Sequence, residues 1–96
     1  MSIPQDVITW VEHNFRDDET KIALSLLGTA AIHDGSPAGP RLLRCAAVGS
    51  RGQIDLLTHL INQLRVDSRD VIVSGEYEIN GDNWVKVHDF EQPIEA

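Results

Sequence analysis

Ile3, Val7, Val11 and Phe15 recur every four residues, with Ile8 beside them and Asp6, Glu12 and Asn14 on the other side. That period predicts an amphipathic helix over about residues 3–15. Ser2 and Gln5 have capping-box spacing ahead of it, and Pro4 stands where a missing N–H costs nothing. The acidic run Asp17, Asp18, Glu19 suits the positive end of a second helix, which carries Ile22, Ala23, Leu24, Leu26, Leu27, Ala30, Ala31 and Ile32. Its apolar residues cover most of the circumference, which predicts a place in the middle of a bundle. His33-Asp34-Gly35 closes it, with Gly35 as a left-handed C-cap.

Two glycines and two prolines between Gly35 and Pro40 oppose both helix and sheet, so this stretch reads as a loop. Pro40 then opens a short helix, Arg41 to Val48, that ends at Gly49. Ser50 and Gln53 repeat the capping-box spacing before Ile54, Leu56, Leu57, Leu60, Ile61 and Leu64, a clear helical stripe. Residues 40–67 resemble one ankyrin unit, but a single unit cannot bury its own face and no second copy follows.

The last third supports two readings. As a hairpin, Val71, Val73, Tyr77 and Ile79 alternate with Ile72, Ser74, Glu76 and Glu78, Asn80-Gly81 offers the turn, and Trp84 to Phe90 alternates again. As a helix, Asp67 is an N-cap with Asp70 in the first turn and Val71, Ile72 and Gly75 on one side. Gly75 then weakens the helix by about 1 kcal/mol relative to Ala.

The stretch Leu42-Leu43-Arg44-Cys45, a glycine at the helix break, then Asp67-Ser68-Arg69-Asp70-Val71-Ile72 and Glu76-Tyr77, resembles small bacterial proteins that are helical through this region. The resemblance covers about residues 40–78, includes no catalytic signature and implies a helix over 68–78 followed by an extended tail. The expected fold is therefore one all-α domain over 1–96, a small bundle of four to five short helices with an extended C-terminal tail. The alternative is α+β, helices plus a C-terminal β-hairpin over 71–90.

With 15 acidic and 8 basic side chains the chain carries a net charge of −7, which repels phosphate backbones and anionic lipid. Neither nucleic acid nor a membrane is an expected partner. Met1 to Trp10 has no basic region and places Asp6 where a signal peptide needs apolar residues, so a cytoplasmic location is expected. The charge is unevenly spread: residues 1–35 sum to −4, residues 36–74 to +2 and residues 75–96 to −5. Arg41, Arg44, Arg51, Arg65 and Arg69 all fall in the central section. Arginine is the multidentate cation favoured at interfaces, which points to a surface for an acidic protein partner, unless these side chains pair with the chain's own carboxylates.

Cys45 is the single cysteine, so there is no internal disulfide. A nucleophilic role would need a cation or imidazolium beside it, and His59 is the first candidate; packing as a small hydrophobe is the simpler reading. His13, His33, His59 and His88 lie in four separate segments without ligand spacing, so no metal is expected, and no Gly-rich cofactor loop occurs. Trp84 follows a turn and is a candidate interface anchor. If the tail is extended, Trp84, Val85, Val87 and Phe90 must pack on the helices or on a second copy, which makes a homodimer an expected arrangement.

These features favour a non-catalytic cytoplasmic protein-interaction or regulatory module, binding through Arg41, Arg44, Arg51, Arg65, Arg69 and Trp84. One alternative is a small thiol-dependent enzyme using Cys45 with His59. Another is a binder of an anionic small ligand through Arg41, Arg44 and Arg51.

Overall fold

A computed structural model describes residues 3–94. Five helices come in order: α1 (Gln5–Asn14), α2 (Asp17–Gly28), α3 (Pro40–Gly49), α4 (Ile54–Val66) and α5 (Ser68–Glu76). Two strands follow, β1 (Tyr77–Asn80) and β2 (Asn83–Lys86), paired antiparallel with Ile79 opposite Trp84 and Tyr77 opposite Lys86. Both readings of the last third are therefore realised, one after the other. The helix expected over 68–78 forms as far as Glu76, and the hairpin is confined to 77–86 around Gly81, whose φ is +66°. The pure all-α expectation is corrected to helices plus a C-terminal hairpin, because Asp67 caps α5 by accepting from the Arg69 amide while Asn80-Gly81 still turns the chain back.

The heptad-like stripe of α1 buries Val7 and Val11, and that of α4 buries Leu57, Leu60 and Leu64. The centre of the bundle is α3, not α2 as the apolar circumference of α2 suggested. Only Ala23 and Leu27 of α2 are buried and Ile22 is half exposed, whereas α3 buries Leu43, Cys45, Ala46, Ala47 and Gly49. Small side chains explain the difference, since they let neighbouring backbones approach. A Cβ on Gly75 would stand 2.5 Å from the Cα of Cys45 and 2.7 Å from its carbonyl oxygen, so α5 crosses α3 at near backbone contact.

The second helix also ends earlier than expected. It stops at Gly28, and the Ala38 amide donates to the Ala30 carbonyl at 3.0 Å while the Ile32 amide donates to Ser36 at 2.9 Å. Gly35 takes φ +84° at the tip of this small turn instead of capping the helix. Ser50 likewise caps α3, its hydroxyl donating to the Ala47 carbonyl at 2.6 Å, and Gln53 caps α4 with no side-chain bond. The proposed cap by Ser2 lies outside the described residues; Pro4 is the N-cap of α1.

Candidate functional site

The last residue of α5 is a carboxylate with no solvent exposure, Glu76. It continues the stripe begun by Val71, Ile72 and Gly75, four residues beyond Ile72, and so must enter the protein. A buried carboxylate is tolerated only when paired and hydrogen-bonded. Arg41, the second residue of α3, supplies both conditions: its Nε donates to Oε2 at 2.8 Å and its Nη2 to Oε1 at 2.9 Å. Lys86 Nζ lies 3.5 Å from Oε1, the Phe90 amide donates to Oε2 at 3.3 Å, and the Cys45 thiol donates to the same oxygen at 3.5 Å. The Arg41 hydrogen bonds overcome the cost of burial and, with the Phe90 amide, hold the Glu76 carboxyl down at about 2.

A second pair repeats this pattern nearby. Arg44 Nε donates to Asp6 Oδ2 at 2.8 Å and its Nη2 to Oδ1 at 3.3 Å, while its Nη1 reaches the Phe90 carbonyl at 3.3 Å. The Ile94 amide donates to Asp6 Oδ2 at 3.0 Å. Burial raises the Asp6 carboxyl, but the bonds from Arg44 and Ile94 together outweigh it and hold the group below its ordinary value. Glu76 and Asp6 thus tie the segment after β2 to three helices.

The sequence-predicted residues are dispersed by this arrangement. Arg41 is taken up by Glu76 and, at 3.3 Å, by Glu91; Arg44 is taken up by Asp6; Arg69 pairs with Asp67 at 2.9 Å. Arg51 and Arg65 are exposed without an ion pair among the described residues. His59 is exposed, whereas Cys45 is fully buried and meets Glu76, not an imidazole. Burial first, then the charge and hydrogen bond of Glu76, push the Cys45 thiol up to about 12. A thiolate is therefore scarce near neutrality, and the Cys45–His59 pairing that thiol chemistry would need does not form. Among the described residues no group of three or more His, Cys, Asp or Glu side chains gathers as a metal site. Sequence reasoning did not single out Glu76, Asp6 or Lys86; for Glu76 the signal was a carboxylate at an apolar-stripe position.

Two of the predicted residues line one groove. Arg51 and Trp84 both line a groove of about 620 Å³ between the hairpin and the start of α4, with Leu56, Val73, Tyr77 and Ile79 as its apolar walls and Glu78 as its one carboxylate. Trp84 and Ile79 stand opposite one another across the hairpin, 59% and 64% exposed. Arg51 is directed there by the tight turn between α3 and α4, where it takes φ +55° and Gly52 φ +75°. A side chain on Gly52 would run into the Asn14 carbonyl, so this turn has a single solution.

No family model and no solved structure matches the chain. Receptor-like kinase TMK4 of Arabidopsis thaliana is 23% identical over 92 residues, which is 94% of this chain and 10% of that protein. The chain spans about a tenth of the length of this relative, and the similarity carries no activity across. No described helix is long and apolar enough to cross a membrane.

Proposed function

We propose that the chain is a small non-catalytic interaction module of the cytoplasm that receives an extended segment of a partner protein in the groove between the hairpin and α4. The segment carries a bulky apolar side chain beside a carboxylate. The observation that carries this reading is the meeting of an unpaired Arg51 with an exposed indole, Trp84, in one groove. Exposed aromatic and arginine side chains are the groups that dominate binding energy at interfaces. Charge complementarity selects the partner: Arg41, Arg44 and Arg69 are neutralised internally, whereas Arg51 has no ion pair among the described residues and lines a groove with apolar walls. A lone thiol without a disulfide partner is at home in a reducing compartment.

The test is a random peptide library panned on the full chain, with Trp84→Ser and Arg51→Ala panned in parallel. Enrichment of peptides pairing an aromatic or branched apolar residue with Asp or Glu, lost in both variants, supports the reading. Equal enrichment on wild type and variants, peptides without acidic residues, or light scattering that shows a second copy of the chain filling the groove, overturns it.

A further inference from the structure

The chain after β2 crosses α1, α3 and α5 without regular structure, and nearly all of its side chains face solvent. Val87, His88, Asp89, Glu91, Gln92 and Pro93 are exposed, while Phe90 is 4% exposed and Ile94 is half-buried. Its attachments fall on two acidic residues of the body, Glu76 and Asp6, and on two arginines, Arg44 and, through Glu91 at 3.3 Å, Arg41. The Val87 and His88 amides donate to the Glu76 carbonyl at 2.7 and 3.1 Å, the Phe90 amide to the Glu76 carboxylate, and the Ile94 amide to Asp6; Arg44 holds the Phe90 carbonyl. Between this segment and the body lies a cavity of about 420 Å³, floored by Trp10 and Val48. Packing under the segment is therefore incomplete, whereas Val7, Leu27, Leu43, Leu57 and Leu64 of the helical core are fully or almost fully buried.

We propose that residues 89–94 are a strap that opens as a unit while the five helices stay folded, and that opening uncovers the slot over Trp10 and Val48 together with the Cys45 thiol. The strap and the thiol share one acceptor. Oε2 of Glu76 takes the Phe90 amide, the Cys45 sulfur and Arg41 Nε, and Phe90 and Cys45 belong to the same apolar cluster. Withdrawal of Phe90 removes the buried aromatic ring from that cluster and an amide donor from that oxygen. The low-stability end of a protein is where few apolar contacts hold a segment, and here Phe90 is the one buried side chain, with Ile94 half-buried beside it.

Cys45 is the built-in reporter of this motion. The experiment measures iodoacetamide modification of Cys45 in the native full-length chain over a urea series, with hydrogen exchange of the strap and α4 amides alongside. Wild type, Phe90→Ala and Leu64→Ala are compared, the last lowering global stability without touching the strap. The expected result is modification that depends on urea less steeply than global unfolding does. In Phe90→Ala it should be accelerated about tenfold or more beyond any change in the global unfolding equilibrium, with Phe90 or Ile94 amides exchanging ahead of α4. Modification that follows global unfolding in all three chains, or a thiol that stays unreactive in Phe90→Ala while the strap amides exchange freely, overturns the proposal.

Discussion

The guanidinium of Arg41 and the carboxylate of Glu76 meet in two parallel hydrogen bonds of 2.8 and 2.9 Å, and only the arginine retains contact with solvent. The two residues are 35 positions apart and belong to the most closely packed pair of helices, α3 and α5. Their pairing fixes more than the helix crossing. Glu76 is also the residue at which α5 gives way to the hairpin, and its carbonyl receives the Val87 and His88 amides where the hairpin ends. One residue therefore sets, through its backbone carbonyl, the root of the hairpin that carries Trp84 and, through its carboxylate, the anchorage of Phe90.

Replacing Glu76 by Gln keeps the shape and removes the charge that faces Arg41 and Lys86. Breaking a fully buried pair costs about 3–5 kcal/mol. Because Arg41 remains about a third exposed and can turn to Glu91, a loss of about 2–3 kcal/mol is expected here. At roughly 4–8 °C per kcal/mol for a domain of this size, the melting temperature should fall by about 8–24 °C. Thermal unfolding followed by circular dichroism checks this, and a shift of only a degree or two contradicts it. Arg41→Met in the same background should restore part of the loss, since the uncompensated cation is then gone.

Acid should act through the same carboxylate. Glu76 titrates at about 2 in the folded chain against an ordinary value of 4.5, so its contribution is fully present above about pH 4.5 and is lost as pH falls towards 2. The groups facing it are Arg41, Lys86, the Cys45 thiol and the Phe90 amide. The depressed Asp6 carboxyl adds to the loss below its ordinary 3.8. Urea titrations at pH 7, 4 and 2.5 should show stability nearly level above about pH 4.5 and then a decline of up to about 3 kcal/mol from Glu76. In Glu76→Gln the decline should be correspondingly shallower.

Gly75 and Gly28 give opposite signs for the same substitution. Helix propensity alone favours alanine over glycine by about 1 kcal/mol. At Gly75 a Cβ would stand 2.5–2.8 Å from three atoms of Cys45, two of them backbone, so α3 and α5 must separate. Gly75→Ala should destabilise by more than about 2 kcal/mol, in the manner of overpacked cores. At Gly28 the nearest atom is the Ile3 Cδ1 at 3.8 Å, an ordinary contact, and Gly28→Ala should be neutral or stabilising by up to about 1 kcal/mol. Chemical denaturation of the two variants side by side decides the matter.

The helices were legible because period and punctuation agree: the stripe of Leu57, Leu60 and Leu64, Pro40 at the start of α3 and Asp67 as the cap of α5 can all be read without coordinates. The order of burial was not. Counting apolar residues favours α2, whereas close approach of backbones favours the small side chains of α3, and the second effect depends on Gly75 arriving from 30 residues away. Ser50 and Gln53 match a capping box, but the left-handed turn at Arg51 and Gly52 separates them into two different caps. The central arginines were visible as a charge cluster, yet their partners Glu76 and Asp6 lie outside it, so only three-dimensional pairing distinguishes neutralised arginines from Arg51.

Trp84 offers a direct optical test of the groove. The chain has two tryptophans, and Trp10 is half-buried against Phe15, with ring centroids 6.2 Å apart, while Trp84 is 59% exposed. A Trp10→Phe variant leaves a single indole in the groove, whose emission should be red-shifted and readily quenched by acrylamide. Replacing Trp84 by Ser in wild type removes only a partly exposed cross-strand contact with Ile79, which is worth about 0.2–1 kcal/mol, so the fold should persist. Titrating a library-selected acidic, apolar peptide into Trp10→Phe should move the emission to the blue and reduce quenching, because the occupant displaces water from the indole and from Ile79 beside it. Arg51→Ala should weaken the titration by about tenfold or more if the carboxylate is held there as an interface ion pair, and high salt should weaken it in the same direction. An unchanged spectrum at saturating peptide separates binding elsewhere on the molecule from binding in this groove.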